Sequence, residues 1–330
     1  MSASGGGRAI IAAFLANMGI AIAKFFAWLV SGSASMLAEA IHSLADSGNQ
    51  LLLLLGGRRA RRSADREHPF GYGRERYVYA FVVSIILFSV GGLFSLYEGV
   101  DKLTHPHELE NVWIPITVLV IAIVLESFSL RTAVKESNRV REPGQSWVSF
   151  VRRSKAPELP VVLLEDIAAL TGLVFALFGV GLAAITHNPI FDAIGTLLIG
   201  TLLILVAIVL GIETKSLLVG EGATEADHDR IVAAIENGPE VDRVIHLKTL
   251  YLGPDELLVA AKLALPADAP LTTVAAHIDT VEQRIRAAVP VARAIYLEPD
   301  LDRTGTGEGT DAATAGRSAG AHADGGPAAG

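Results

Sequence analysis

The 330-residue chain contains no cysteine, which excludes disulfides, a thiolate nucleophile and any cysteine-based zinc or iron–sulfur site. A metal bound to it must be held by His, Asp, Glu or Asn. Charge is scarce as well: 19% of the residues are Asp, Glu, Lys or Arg, against about 25% in soluble domains. The apolar share is 51% and the mean hydropathy is +0.44. That combination excludes a soluble enzyme of the usual kind and a nucleic-acid-binding protein, and points to a bilayer as the solvent. The chain also lacks an intramembrane His-Glu-x-x-His helix, which a metal-dependent membrane hydrolase would need.

What is present is long apolar runs. A membrane helix takes about 20 mainly apolar residues. Six segments qualify: Ala9–Val30, Ser35–Leu55, Tyr77–Val100, Val112–Val134, Leu159–Ile185 and Pro189–Ile212. The first has no cleavage site followed by a soluble protein, so a signal peptide is not expected. The connection after the second run carries seven arginines (58, 59, 61, 62, 66, 74 and 76) and the one after the fourth carries six Lys/Arg. The connection after the third carries only Lys102, and the turn after the fifth carries none. Helix-end anchoring does not explain that asymmetry. The positive-inside rule places the basic loops in the cytoplasm, and six spans then put both termini there. The Ala/Gly/Arg-rich composition and short N-terminus suggest a bacterial inner (plasma) membrane.

The net charge of −8 is unevenly placed. Through Ile212 there are 17 basic and 16 acidic residues; from Glu213 there are 10 and 19. The C-terminal third is therefore expected to be water-soluble, with residues 213–300 as a small domain. Thr224–Asn237 reads as a helix, Val244–Tyr251 and Leu257–Leu265 as strands around a Gly253–Glu256 turn, and Val291–Glu298 as a last strand. Between the later strands, Leu271, Val274, Ala275, Ile278, Val281 and Ile285 recur at helical spacing. The order α-β-β-α-β predicts a small α+β, ferredoxin-like fold. Residues 301–330 have too few large apolar side chains to bury a core and are expected to be disordered.

Ionisable residues within a span cost roughly 2.5–3.5 kcal/mol each on insertion scales and mark function by default. The second span reads SASMLAEAIHSLADSGNQLLLLL. His42 and Asp46, four apart, share one helix face, and Glu39 and Asn49 extend that stripe as further candidate ligands or proton carriers. An imidazole and a carboxylate so placed make a half-site for a borderline divalent cation, Zn²⁺ above all. The fifth span, LPVVLLEDIAALTGLVFAL, offers Glu165 and Asp166. These diverge by about 100°, so Asp166 is the expected ligand and Glu165 its neighbour or a proton carrier. The alternative makes His42–Asp46 a polar clamp between helices, with Glu165 and Asp166 satisfying loop backbone or basic side chains. Glu126 in the fourth span is expected to pair with Arg131 or Lys24 or to join a proton path. Asn17 and Asp192 are expected in packing and capping, and Gly91, Gly92 and Gly99 in close helix approach.

Several runs together resemble the cation diffusion facilitator (zinc-transporter) family: HSLAD in the second span, HPFGYGRERYVYAF entering the third, YEGVDKL ending it, NPIFDAIGTLLIG opening the sixth, and the C-terminal YLEP strand. The match runs over about residues 8–299. The resemblance implies a homodimer in the bilayer that exchanges a cytoplasmic divalent cation for protons and has no resident cofactor, the ion being its cargo. It implies transport ligands His42 and Asp46 on the second span and Asp166 on the fifth. The remaining fifth-span position is Val162, which cannot bind metal; the VLLEDIAAL run shares that departure with the branch around the ninth mammalian zinc transporter. Glu165, water or another helix would complete the site.

Accessory sites are implied less fully. Asp65 and His68 stand where some members hold a second ion, with Tyr72 in place of a third ligand. In the C-terminal domain His246, His277 and Glu298 remain, with Tyr296 and Ala261 at other ligand places, so dimerisation without a full binuclear site is expected. His228 is expected to be merely solvated. Two alternatives stay open: cargo such as Mn²⁺, Fe²⁺, Co²⁺ or Cd²⁺, and a non-transporting membrane adaptor or sensor.

Overall fold

The computed structural model describes residues 6–301 other than 107, 108, 110 and 143, with side chains from residue 17 onward. The expected disordered tail lies outside the described residues. The rest divides into two compact units, one of residues 1–224 with 249–258, the other of residues 225–248 with 259 onward.

The first unit is helical. Its elements are α1 (Gly6–Ser31), α2 (Ala34–Arg59), α3 (Glu75–Thr104), α4 (Trp113–Val140), α5 (Trp147–Arg153), α6 (Glu158–Thr186) and α7 (Ile190–Val219). Among the described residues α3, α4, α6 and α7 are each long and apolar enough to cross a bilayer. The helices α1 and α2 are 26 residues long, but the polar stripe of α2 dilutes its apolar character. Between the helices lies one core that includes Met36, Val83, Leu87, Leu119, Leu173, Ile199 and Leu203. Facing outward are Phe26, Phe128, Phe178 and Ile185, all at least 60% exposed. A protein does not present so much apolar surface to water; hydrocarbon covers it. The chain is an integral, multi-pass membrane protein.

Side-chain size sets the close helix contacts. The three glycines of α3 lie against α7, where a Cβ on Gly92 would stand 2.5 Å from Ile204 Cγ1 and one on Gly99 would stand 2.7 Å from Leu197 Cδ2. They bring together helices of one chain, so the small side chains are used within the protomer. The same helix winds more loosely over Leu87–Leu93, a π-helical stretch. Between α6 and α7 the chain reverses at His187, in the left-handed region (φ 54°), and Asn188 Oδ1 accepts from Ile190 N at 3.0 Å.

Two helices end farthest past their expected spans and one was not expected: α4 runs to Val140, past Val134. The last long helix, α7, runs to Val219, well past Ile212. Apolarity stops where the hydrocarbon stops, whereas helical hydrogen bonding continues into water through Glu213 and Lys215. The helix α5 was not expected at all: seven residues are too few for a periodicity. Ser146 caps it by accepting from Ser149 N at 3.1 Å, and Phe150 anchors it in a small cluster with Ala133 and Leu163.

The second unit comprises α8 (Glu225–Glu236), strands β1 (Arg243–Gly253) and β2 (Glu256–Ala264), α9 (Leu271–Ala288) and β3 (Ala292–Asp300), apart from the hairpin tip. The strands form one sheet in the order β1-β2-β3. Asp242 N donates to Ala264 O and Leu265 N donates to Asp300 O. The first bond pairs the start of β1 with the end of β2, antiparallel; the second sets the ends of β2 and β3 side by side, as a helical crossover allows. In β2, Leu257, Val259, Ala261 and Leu263 are buried in alternation. On α9 the buried seam is Val281 and Ile285, while Leu271 is 82% exposed; the expected apolar stripe is shorter by its first turn.

Candidate ion-transport site

The site begins with how α2 is held. Ser33 caps its N-terminus, accepting from Met36 N at 3.3 Å. Buried Asp192 of α7 then accepts from Ser33 Oγ and Ala34 N, both at 2.8 Å, and from Ser35 N at 3.3 Å. A carboxylate on otherwise unpaired amides at a positive helix end is a favourable fit. Asp192 is thus a cap, as expected, but of another helix than its own. It fixes the height and rotation of the stripe below it.

Along that stripe each polar residue meets a different neighbour. Lys24 of α1, with no exposed surface, donates from Nζ to Glu39 Oε2 at 2.9 Å and to Ser43 Oγ at 2.7 Å. Of the alternatives expected for Glu126 (Arg131, Lys24 or a proton path), Lys24 is engaged by Glu39 instead, which lies across the α1–α2 contact. Asn49 Nδ2 donates to Glu165 Oε1 at 2.8 Å, tying α2 to α6. Ser129 Oγ of α4 donates to Asp166 Oδ2 at 3.0 Å. Gly172 on α6 makes room for Glu39, since a Cβ there would stand 2.7 Å from Glu39 Oε1.

His42 and Asp46 lie within this frame, with Nε2 and Oδ2 3.5 Å apart and side-chain exposures of 1% and 14%. Both ring nitrogens of His42, Oδ1 of Asp46, Oε1 of Glu39 and Oδ1 of Asn49 are buried and make no hydrogen bond. Buried polar atoms are nearly always satisfied, and each exception calls for an explanation. Here they share one stripe of one helix. Among the described residues, no three His, Asp or Glu side chains stand close enough to hold an ion. Asp166 faces Ser129, and Val162 packs among the apolar residues around the core.

The other residues singled out from the sequence are dispersed. Asp65 organises its own loop: Oδ2 accepts from Tyr72 Oη at 2.7 Å, and Oδ1 accepts from His68 N at 2.7 Å and Glu67 N at 3.0 Å. The Tyr72 hydroxyl, foremost, holds this carboxyl below its ordinary range. His68 stacks on Tyr72 with ring centroids 4.4 Å apart. In the smaller unit, His246 and Glu298 line one cleft of about 550 Å³ together with Glu282 and Tyr296. His277 does not line that cleft, and its Nδ1 is buried without a hydrogen bond. Glu298 accepts from Lys262 at 2.9 Å, which with Asp300 keeps the ammonium above its ordinary range. His228 is 49% exposed at its side chain. Lys24, Ser129 and Gly172 were not singled out as site residues from the sequence; an apolar span carrying one lysine was the only available signal.

Residues 10–219 match the model of the cation efflux transmembrane domain. The chain belongs to the cation efflux family. This member is 36% identical over 250 residues to the human protein named proton-coupled zinc antiporter SLC30A9, mitochondrial, covering 76% of this chain and 44% of that protein. It is 30% identical over 257 residues to metal tolerance protein C4 of Arabidopsis thaliana, covering 78% and 56%. With the cation-efflux pump FieF of Klebsiella pneumoniae it shares 27% identity over 285 residues, covering 86% and 89%. The chain spans under half the length of the human relative. Among solved structures, a MamM-CTD variant matches 24% of this chain and 98% of its own at 22% identity, with a TM-score of 0.23.

Proposed function

We propose that this chain is a carrier, not an enzyme, that moves a divalent cation, Zn²⁺ foremost, out of the cytoplasm in exchange for protons. The observation that carries this reading is the row of unsatisfied buried donor atoms on α2, at His42 and Asp46, on a stripe that Asn49 ties to the Glu165 carboxylate of α6. The names of the relatives above agree with it. In this reading His42, Asp46 and Asp166 are the ligands. Asp166 exchanges Ser129 for the ion, and Glu165, released from Asn49, supplies the donor that Val162 lacks or carries a proton. The stripe's remaining members have supporting parts: Glu39 is balanced by Lys24, and Asn49 steers Glu165.

Ligands must be deprotonated to bind a metal, so entry of the ion displaces protons. Histidine titrates near neutrality when unperturbed, so a more acidic far side favours release. Alternation between the two faces completes the cycle. The donor set of one imidazole and carboxylates also accommodates Mn²⁺, Fe²⁺, Co²⁺ and Cd²⁺. We further propose six spans, α1 to α4, α6 and α7, with both termini on the basic-loop, cytoplasmic side of a bacterial plasma membrane. The ferredoxin-like C-terminal domain would join two protomers without a binuclear metal site.

Zinc titration of the detergent-purified protein, with a pH indicator in weak buffer, tests the ligand assignment. The wild type should bind Zn²⁺ and release protons as it does so. His42→Ala and Asp46→Ala should each lose at least about tenfold in affinity, the range seen on perturbing metal-site residues. Unchanged binding in both variants would refute it.

A further inference from the structure

Along α6 lies an apolar groove whose lining does not include His42 or Asp46. The helices α4, α5, α6 and α7 enclose an open groove of about 810 Å³ lined by Leu130, Val134, Val148, Leu164, Ile167 and Ile212 among others. Its lining is almost wholly apolar, and Val148 and Ile212 are 69% and 61% exposed. Arg152 and Glu213 are the charged residues of its lining, and Trp147 lines it as well. Arg152 is 71% exposed at its side chain, and its contact with Glu213 runs through Nε at 3.5 Å, longer than an ordinary hydrogen bond. The guanidinium of Arg141 stacks over Trp147 at 4.2 Å, and Arg153 is exposed on the same short helix. A tryptophan stacked with a guanidinium, with further arginines on the same short helix, matches the aromatic belt and basic flank found at the headgroup level of a bilayer.

We propose that this groove is a binding site for an anionic phospholipid, one acyl chain lying along the apolar floor and the phosphate resting on Arg152 with Arg141 and Arg153 nearby. Charge complementarity selects this occupant. The segment from Lys135 to Lys155 holds six basic residues, and clustered Lys/Arg beside a span attract anionic headgroups. A second copy of the chain over this groove is the alternative occupant, and the test below separates it from lipid. Phe150 is turned into the cluster with Ala133 and Leu163, so α5 is fixed to the helices independently of anything in the groove. The floor residues Leu164 and Ile167 flank Glu165 and Asp166 in the sequence, so a lipid here would pack against the turn of α6 that carries the candidate ligands.

The test is lipid retention, which does not depend on transport. The full chain is reconstituted into vesicles of equal phosphatidylglycerol and phosphatidylcholine, extracted in mild detergent and weighed by native mass spectrometry. The wild type should retain phosphatidylglycerol in preference to phosphatidylcholine by about fivefold or more, as one basic residue at an anionic surface would give. Arg152→Gln should bring the ratio near one, Arg152→Lys should keep most of the preference, and Val148→Trp should lower retention of both lipids by filling the groove. Equal retention by the wild type, or an undiminished preference in Arg152→Gln, would overturn the site. So would efficient disulfide cross-linking between copies through Val148→Cys, which would make the groove a protomer interface.

Discussion

Lys24 has no exposed surface and two partners, Glu39 and Ser43. Removing one member of a buried pair strands the other's charge, at a cost of about 3–5 kcal/mol. Lys24→Met should therefore lower the thermal midpoint in detergent markedly, and the double change with Glu39→Gln should recover most of the loss. Equal midpoints for wild type and Lys24→Met would show that the pair is not a structural tie. At Asp65 the matter is pH. Its carboxyl sits below the ordinary range because Tyr72 and two backbone amides donate to it. Stabilisation from a depressed carboxyl is complete above its unfolded value, about 3.9, and disappears as pH falls through the lower folded value. Amide exchange of residues 66–72, measured by mass spectrometry and corrected for intrinsic rate, should thus be flat near neutral pH and rise only under acid. Asp65→Asn should speed it at neutral pH. The spacing of His42 and Asp46 was legible because a helical repeat fixes which residues share a face. The choice of Lys24 by Glu39, and of Glu165 by Asn49, was not: both follow from inter-helix register, which no single helix encodes.

Helices were read well where solvent and periodicity agree. All six long apolar runs lie on helices, and the second unit has the expected α-β-β-α-β order. The departures have physical sources: α7 outruns its apolar stretch, α5 is too short to show a period, and the π-helical turn at Leu87–Leu93 leaves no compositional mark. The α3 glycines give a direct test of packing. A side chain at Gly92 meets Ile204 Cγ1 at 2.5 Å and Ile204 N at 3.2 Å, whereas nothing lies within 4 Å of a Cβ on Gly57. Gly92→Val should cost about 1–3 kcal/mol through overpacking and Gly57→Ala should be neutral or slightly stabilising. Differential scanning in detergent separates them; equal midpoints would place the α3–α7 contact elsewhere.

The molecule as a whole combines a lipid-facing helical unit with a small α+β unit, and its lack of cysteine makes topology measurable. Single cysteines at Ser63 and Thr104, both exposed, should react with a membrane-impermeant maleimide from opposite sides of oriented vesicles. Labelling from one side would contradict the six-span arrangement. The lone basic residue near the second position, Lys102, donates to Gly32 O at 2.8 Å, so it serves the fold and does not weaken the charge asymmetry. The assignment of residues 249–258 to the helical unit was not legible in the sequence, because a hairpin's pattern reports its own alternation and not its surroundings.

Metal flux into proteoliposomes under an imposed pH gradient addresses the whole proposal at once. Zn²⁺, Mn²⁺, Co²⁺ and Cd²⁺ would be compared in the wild type, Asp166→Ala and Glu165→Ala. Zinc uptake that depends on the gradient and vanishes in Asp166→Ala is the result expected; loss in Glu165→Ala as well would assign Glu165 as the replacement ligand or proton carrier. No divalent flux in the wild type, or full flux in Asp166→Ala, would contradict a carrier built on α2 and α6.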